Sequence, residues 1–250
     1  MKKSAFAFFA LFILTSITQI SMAEFESIVL FLPFDEGAGD VVKDLSGKGN
    51  DGKIKGAGWV AGKINKALEF NGSNYVEIPD SESLSVDKAV TVMAWVFMKV
   101  GASGEMAIAS KGQWAANDLP YELTINATGV IYWQMYDDAG RDGCSPASPP
   151  AGEWHHIAGT YDGKKFQCYV DGVMKMEFAY AGAPPVNTAS VTIGKRSKAN
   201  ECFYTGAIDE VAIFSNALSE EEVVSAMNGI DLAVGAKEKL FALWGKIKSE

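Results

Sequence analysis

One stretch, from Trp154 to Gly172, restricts the fold of this chain more than any other. It contains two runs typical of β-strands, Trp154–Tyr161 and Lys165–Val170, each followed closely by Asp-Gly. Asp-Gly is favoured in tight hairpins because Gly adopts a positive φ without steric cost and Asp tolerates it. The pattern therefore predicts consecutive antiparallel strands, continued by a third strand over Val173–Phe178.

A second pair of runs, Tyr121–Asn126 and Val130–Tyr136, alternates between apolar and polar positions. Alternation with a period of two indicates an antiparallel sheet with one face in the core and one face in water. The predicted wet face carries Glu122, Thr124, Asn126, Tyr132, Gln134 and Tyr136.

The rest of the chain is typical of an all-β protein. Val90–Phe97 is apolar at nearly every position, as expected of a strand buried on both faces, and Gly206–Phe214 is the last long strand. Ser219 and Glu222 form a capping box that predicts a short helix ending at Asn228-Gly229. No period of 20 to 50 residues recurs, so the many short strands predict a sandwich or a barrel.

The N-terminus has the features of a signal peptide. Lys2 and Lys3 precede an apolar run, and Ser21-Met22-Ala23 supplies the small residues of a cleavage site. A transmembrane anchor is the alternative, but the run is marginal for the roughly 20 residues that a span needs. We therefore expect cleavage near Ala23, a secreted or periplasmic mature protein, and no membrane span in the mature chain.

The net charge of the chain is −9 at pH 7. Such a surface repels phosphate backbones, which argues against nucleic acid as a partner. The charge is compatible with calcium, although acidity also serves solubility.

Three cysteines in an exported chain permit one disulfide and one thiol. Cys168 shares a strand face with Phe166 and Val170, which predicts a buried thiol. Cys144 and Cys202 lie in loop-like stretches, so we predict a bridge between these two; three free thiols are the alternative.

The central hairpin, Trp154–Gly163 with Tyr169–Gly172, resembles the laminin-G-like branch of the concanavalin A-like lectin/glucanase jelly rolls. Four further stretches carry the same resemblance in the same order along the chain. These are Leu32–Gly37 with Asp44–Gly47, Ala67–Gly72 with Tyr75–Ile78, Thr91–Val96, and Gly206–Val211 with Ala217–Ser219. The resemblance implies an all-β, two-sheet antiparallel jelly-roll β-sandwich with a concave face, and a role in extracellular recognition, often of glycans.

The expected organisation has three parts. Residues 1–23 are the signal peptide, 27–228 the laminin-G-like domain, and 229–250 a C-terminal helical tail. Leu240, Leu243, Trp244 and Ile247 recur at helical spacing, so the tail is expected to be amphipathic.

The family resembled also contains glucanases, which need two carboxylates that flank the glycosidic bond. This chain lacks their Glu-x-Asp-x-Glu run, and the neighbours Asp209 and Glu210 point to opposite faces of a strand. His155 and His156 are also adjacent, so their side chains point to opposite faces of the strand. The sequence therefore favours a protein that is not an enzyme.

Two binding functions remain. In one, the predicted wet face binds carbohydrate. The rings of Tyr132 and Tyr136 would stack on sugar rings. Hydrogen bonds to the sugar hydroxyls would come from Gln134, Glu122, Thr124 and Asn126. In the other, the domain is a structural or adhesive module that binds an extracellular protein. An ordinary solvated sheet face explains the polar row equally well.

The last expectation is a structural calcium ion, because calcium prefers six to eight oxygen ligands. The candidate ligands are Asp35, Asp44, Asn50 and Asp209, and similar jelly rolls often hold a metal at such a place. The alternative is that Asp44 and Asn50 only shape their turn.

Overall fold

The strands predicted from the sequence form two antiparallel sheets in the computed structural model, which describes residues 27–115, 117–137 and 140–230. The predicted signal peptide and the predicted amphipathic helix of the tail lie outside these residues. Among the described residues, no helix is long and apolar enough to cross a membrane.

Sheet A contains both the central hairpin and the strand that the sequence predicted to be buried on both faces. Its strands, in spatial order, are β14 (Val173–Ala179), β13 (Lys165–Val170), β12 (Trp154–Tyr161), β7 (Val90–Met98), β16 (Thr205–Phe214), β5 (Lys66–Asn71) and β4 (Gly58–Ala61), with β1 (Ile28–Leu32) also paired to β16.

Sheet B contains the alternating pair of strands. Its strands, in spatial order, are β11 (Gly140–Cys144), β10 (Val130–Asp137), β9 (Leu119–Asn126), β8 (Glu105–Lys111), β15 (Val191–Ile193), β6 (Tyr75–Ile78), β3 (Gly52–Lys55) and β2 (Val41–Val42). Pairs such as β15 with β8 and β6 join segments that are distant in the sequence.

The central hairpin is confirmed, since β12 pairs with β13 and β13 with β14, all antiparallel. At its turns Gly163 has a φ of 87°, Asp171 of 52° and Gly172 of 76°. These left-handed angles are those for which Asp-Gly is suited. The two-sheet antiparallel sandwich predicted from the sequence is therefore the observed fold.

Aromatic side chains join the two sheets in the core. The indole of Trp133 in sheet B lies 6.3 Å, centroid to centroid, from the ring of Phe166 in sheet A. It also donates a hydrogen bond of 2.9 Å to the carbonyl of Thr160. A Cβ at Gly159 would stand 2.4 Å from the Trp133 ring, so the absence of a side chain there makes room for the indole.

The helix α1 (Glu220–Met227) follows β16 and begins with the predicted capping box. The backbone N–H of Glu222 donates to Ser219 Oγ, and the backbone N–H of Ser219 donates to the Glu222 carboxylate. Trp95, on the outer face of sheet A, donates from Nε1 to the carbonyl of Met227 at 3.2 Å. The end of the helix thus lies against the outer face of sheet A at Trp95.

Candidate functional site

The predicted wet face is the outer face of sheet B, on the side away from the core. Cross-strand pairing sets Gln134 opposite Glu122 and Tyr132 opposite Thr124 on β10 and β9. Tyr121, Leu123 and Ile125 of β9 are buried on the other side. The alternation predicted from the sequence is therefore correct for these two strands.

The six predicted ligand-binding residues fall into two groups by exposure. Asn126, Tyr132 and Tyr136 are half-buried and reach the surface. Glu122 and Thr124 are fully buried, and Gln134 is 2% exposed. Three of the six side chains on the predicted wet face are therefore shielded from solvent.

The buried group is covered by Arg196, whose guanidinium contacts three carboxylates. Nε lies 2.8 Å from Glu122, Nη2 lies 2.8 Å from Glu105, and Nη1 lies 2.7 Å from Glu201. Gln134 Nε2 donates to the second oxygen of Glu122 at 3.1 Å. We call these five residues the arginine cluster.

The pKa values in the arginine cluster reflect a balance of burial against pairing. Burial raises the pKa of Glu122, and its contacts with Arg196 oppose that rise. Burial by itself would lower the pKa of Arg196, but hydrogen bonds to Glu122 and Glu201 outweigh it and raise the pKa. The guanidinium therefore stays charged over the covered face.

Arg196 comes from the loop that follows β15. This loop is closed by hydrogen bonds from Tyr204 N–H to the Gly194 carbonyl, at 2.8 Å, and from Arg196 N–H to the Glu201 carbonyl, at 3.2 Å. Gly194 has a φ of 87°, and a Cβ there would stand 2.4 Å from the ring of Phe70. The glycine thus permits the turn that brings the arginine over sheet B.

Trp114 lies at the edge of this face and was missed by sequence reasoning. Its side chain is 45% exposed, and the Cζ atom of Arg196 is 5.1 Å from its ring centroid, within the range of a cation–π contact. No periodicity marks either residue, since both lie in loops. An isolated Trp in a Gly-containing, polar loop was the one available signal.

One buried acceptor in the arginine cluster has no hydrogen-bond partner among the described residues, namely Gln134 Oε1. The amide orientation is fixed because Nε2 donates to Glu122. Buried polar atoms usually have a hydrogen-bond partner, so we expect Gln134 Oε1 to accept a hydrogen bond from a hydroxyl group or a water molecule.

The four predicted calcium ligands separate into two pairs. The carboxylate of Asp44 accepts bonds from the N–H groups of Phe31, Ser46 and Asn50 and from Ser46 Oγ. The side chain of Asn50 bonds to Val29 and to two serines. Asp44 shapes the turn, as in the alternative interpretation, whereas the side chain of Asn50 ties the turn to distant segments. The side-chain oxygens of both residues accept bonds from protein donors.

Asp35 and Asp209 instead hold the loop between β4 and β5. Asp35 accepts from the N–H of Lys66 at 3.2 Å and Asp209 from the N–H of Ile64 at 3.0 Å. Burial raises the pKa of Asp209 to about 7, and the charge of Asp35 adds to the rise. Burial and Asp209 raise the pKa of the neighbouring Glu210 to about 8. The carboxyl groups of Asp35, Asp209 and Glu210 therefore interact with one another, although no group of three or more His, Cys, Asp or Glu residues among those described is placed to hold a metal ion.

The three cysteines are free thiols in the structure, and the neighbour of Cys144 is Cys168 and not the predicted partner Cys202. Cys168 is buried, as predicted, but its Sγ lies 2.7 Å from Sγ of Cys144. Cys202, the predicted partner of Cys144, is half-buried in the loop between β15 and β16. The polar residues that flank Cys144 predict a loop, whereas Cys144 is the last residue of β11 and faces the core.

The adjacent histidines have different surroundings. His155 Nδ1 lies 2.8 Å from the Asp171 carboxylate near the surface, while His156 is buried against Trp95 with ring centroids 5.4 Å apart. They do not form a joint site.

Comparison with known proteins agrees with the fold. A family model described as the concanavalin A-like lectin/glucanases superfamily, Laminin_G_3, matches residues 70–224. No curated protein matches.

Solved structures show the same fold at low sequence identity. Domain 4 of AbnA, an extracellular arabinanase from Geobacillus stearothermophilus solved with arabinotriose, is 20% identical, with a TM-score of 0.62 over 80% of this chain and 97% of that one. The binding domain of Paraclostridial Mosquitocidal Protein 1 is 18% identical, with a TM-score of 0.66 over 82% of this chain and 52% of that one. The ligand-binding domain of botulinum neurotoxin serotype D, solved with N-acetylneuraminic acid, is 15% identical, with a TM-score of 0.66 over 84% and 52%. The chain thus spans about half of each toxin domain.

Proposed function

The chain belongs to the concanavalin A-like lectin/glucanases superfamily, and from this premise we propose that it is a non-catalytic module that binds carbohydrate on the outer face of sheet B. The observation that carries the proposal is the combination of partly exposed aromatic rings with a hydrogen-bonded charged cluster on one sheet face. Sugar sites combine apolar ring faces with a few fixed polar groups that set orientation. Arabinotriose and N-acetylneuraminic acid in two structures of the same fold support the ligand class.

The half-buried and exposed residues are the proposed ligand contacts. The rings of Tyr132, Tyr136 and Trp114 would pack against sugar rings, and Asn126 and Glu201 would bond hydroxyl groups. Each of these side chains reaches the surface.

The buried residues Glu122, Thr124 and Gln134 have a supporting role in this proposal. Their polar groups hold Arg196 and Glu105 in place, with Thr124 Oγ1 donating to Glu105 at 3.2 Å. A fixed cluster lowers the entropy cost of ligand binding.

The test is a glycan array followed by calorimetry with any glycan that binds. Tyr132→Ala and Trp114→Ala should each weaken binding about tenfold or more, since loss of an aromatic contact approaches the free energy of a tenfold change. Val186→Ala, at a loop residue that is 64% exposed, is the control and should bind like the wild type. Glycan binding that both ring variants retain in full would contradict the proposed site.

A protein partner is the second candidate, favoured by the apolar side chains that the edge strand β14 exposes. This edge strand carries Val173, Met174 and Met176, which are 52%, 41% and 36% exposed, and Val224 of α1 is 38% exposed. Methionine-rich surfaces adapt to protein partners, and edge strands can pair with added strands. Replacing Met174 and Met176 by Lys would abolish saturable binding to a purified surface protein and leave glycan binding intact.

We further propose that the protein is exported with cleavage near Ala23. The support is the basic start, the apolar run and the small residues at 21 and 23. N-terminal sequencing of the mature protein tests it, and an intact Met1 would contradict it.

A further inference from the structure

The outer face of sheet A, opposite the proposed site, contains a row of four cross-strand neighbours. Trp154 of β12 pairs with Phe97 of β7, Phe97 with Ala207 of β16, and Ala207 with Glu69 of β5. Directly paired residues of a sheet point to the same face. The row therefore crosses four strands, with two large aromatic side chains followed by the small Ala207 and the charged Glu69.

The small member of the row creates a trough. Ala207 and the adjacent Gly206 form its floor, with Phe97 and Trp154 on one side and Val60 of β4 on the other. Its volume is about 300 Å³, at the lower end of the range for small-ligand sites. A Cβ at Gly206 would stand 1.9 Å from the Phe97 carbonyl oxygen, so only glycine fits at this position of β16.

The contacts that cover the outer face of sheet A at Trp95 do not extend to the trough. Trp95, two residues earlier on β7 than Phe97, bonds to the end of α1 and lies 4.2 Å from the ammonium of Lys63. Phe97 and Trp154 are only half-buried. Their ring centroids are 5.8 Å apart with an interplanar angle of 62°, so the edge of one ring meets the face of the other.

Two charged groups of opposite sign line the trough, the carboxylate of Glu69 and the ammonium of Lys99. Both side chains are exposed, and they form no ion pair with each other. The trough thus offers apolar rings, a hydrogen-bond acceptor and a donor within one small volume.

We propose that this trough is a second binding site, specific for a neutral sugar unit. A sugar hydroxyl both donates and accepts, so it satisfies Glu69 and Lys99, while the C–H face of the ring packs on Trp154 or Phe97. An acidic ligand would meet Lys99 but would be repelled by Glu69 and by the net charge of −9. An apolar ligand would leave two charged groups beside it without a bond. The site lies on the sheet opposite the one carrying the proposed glycan face, and it does not depend on that face.

The experiment uses the full chain labelled with 5-fluorotryptophan and read by ¹⁹F NMR. The sequence has 6 Trp residues, and spectra of Trp154→Phe and Trp114→Phe assign the two relevant signals. The probes are the neutral disaccharides lactose, maltose and cellobiose, with galacturonic acid and cyclohexanol as acidic and apolar comparisons. We expect a saturable shift of the Trp154 signal with at least one neutral disaccharide at millimolar concentration, and none with the comparison probes.

Two variants, one at the trough and one on the other sheet, test whether the response of the Trp154 signal comes from the trough. Glu69→Ala changes an exposed side chain and should weaken the response of the Trp154 signal about tenfold, an effect expected when one charged hydrogen bond is lost. Tyr132→Ala, on the other sheet, should leave that response unchanged. A Trp154 signal that no neutral disaccharide moves would overturn the second site, even where the Trp114 signal moves and the first site holds. A Trp154 shift that is unaffected by Glu69→Ala, or that the acidic probe produces equally, would also overturn it.

Discussion

The Sγ atoms of Cys144 and Cys168 lie 2.7 Å apart although the two residues belong to different sheets of the sandwich. Both side chains are buried, and 24 positions separate them in the chain. Burial raises the pKa of the Cys168 thiol, so its reactive thiolate is scarce in the folded protein. Oxidation is therefore favoured during folding, before the core closes.

We predict that oxidative refolding joins Cys144 to Cys168. The two thiols give two protons and two electrons to glutathione disulfide, which becomes two glutathiones. The bond would close a loop of 24 residues and stabilise the fold by about 3 kcal/mol. Peptide mapping without reduction identifies the bridge, and denaturant unfolding with and without reductant measures its effect. Cys202→Ser should change neither result, whereas a peptide joining Cys144 to Cys202, or three alkylated thiols, would refute the prediction.

The arginine cluster gives the second prediction. Arg196→Met removes the cation that faces the fully buried Glu122, and loss of one partner of a buried pair costs about 3–5 kcal/mol. Glu201→Gln, at a side chain that is 56% exposed, is the matched control and should cost less than about 1 kcal/mol. Adding Glu122→Gln to Arg196→Met should restore part of the loss, because the buried charge is then gone. Equal unfolding free energies for Arg196→Met and Glu201→Gln would show that the cluster does not act as inferred.

The sequence predicts those parts of this fold that depend on neighbouring residues. The hairpin turns at Gly163 and Asp171 follow from local φ preferences, the face of Tyr121 follows from a period of two, and the start of α1 follows from Ser219 and Glu222. Each of these signals lies within a few positions, so one sequence is sufficient to read it.

The parts that were not predicted depend on strand order and on long-range contacts. Arg196 meets Glu122 across 74 positions, in a loop with no periodic pattern. The trough exists because β16 lies between β7 and β5, which places Ala207 beside Phe97. Cys144 was assigned to a loop from its neighbours, and only the packing of sheet B on sheet A brings it to Cys168.

His156 gives a prediction about pH. Burial lowers its pKa to about 3 from the ordinary 6.5, against the opposing effect of Asp171. In the unfolded chain His156 binds a proton near pH 6.5, whereas in the folded protein it binds one only near pH 3. The free energy of unfolding therefore falls as the pH falls from about 6.5 to about 3. The contribution has a slope of at most about 1.4 kcal/mol per pH unit.

The measurement compares urea unfolding of the wild type and His156→Phe between pH 4 and pH 7. Other titrating groups contribute to both proteins, so the difference between the slopes isolates His156. We expect the variant to lose less stability on acidification, because a phenyl ring keeps a contact with Trp95 but takes no proton. Parallel curves would contradict a neutral, buried imidazole.

Calcium gives the last prediction, and the structure narrows which of the four candidate ligands can take part. The oxygens of Asp44, Asn50 and Asp209 all accept protein hydrogen bonds. Asp209 differs from the other two because Glu210 and Asp35 interact with it electrostatically, and among the described residues it forms no ion pair with a cation. Burial is the main cause of the raised pKa of Asp209 and Glu210, and a calcium ion beside them would offset the repulsion by Asp35 that adds to it.

Calcium bound only to the folded protein stabilises it by about 2.7 kcal/mol at one hundred times its dissociation constant. Thermal melts with excess calcium and with chelator should therefore differ for the wild type. Asp44→Asn should lower both melting temperatures but keep the difference between them, since Asp44 shapes a turn. Asp209→Asn should abolish the difference, since this residue supplies a ligand oxygen. Identical melting temperatures of the wild type in the two conditions, with no calcium detected in the chelator-treated protein, would exclude a structural calcium ion and leave Asp209 with the sole role of holding the loop that follows β4.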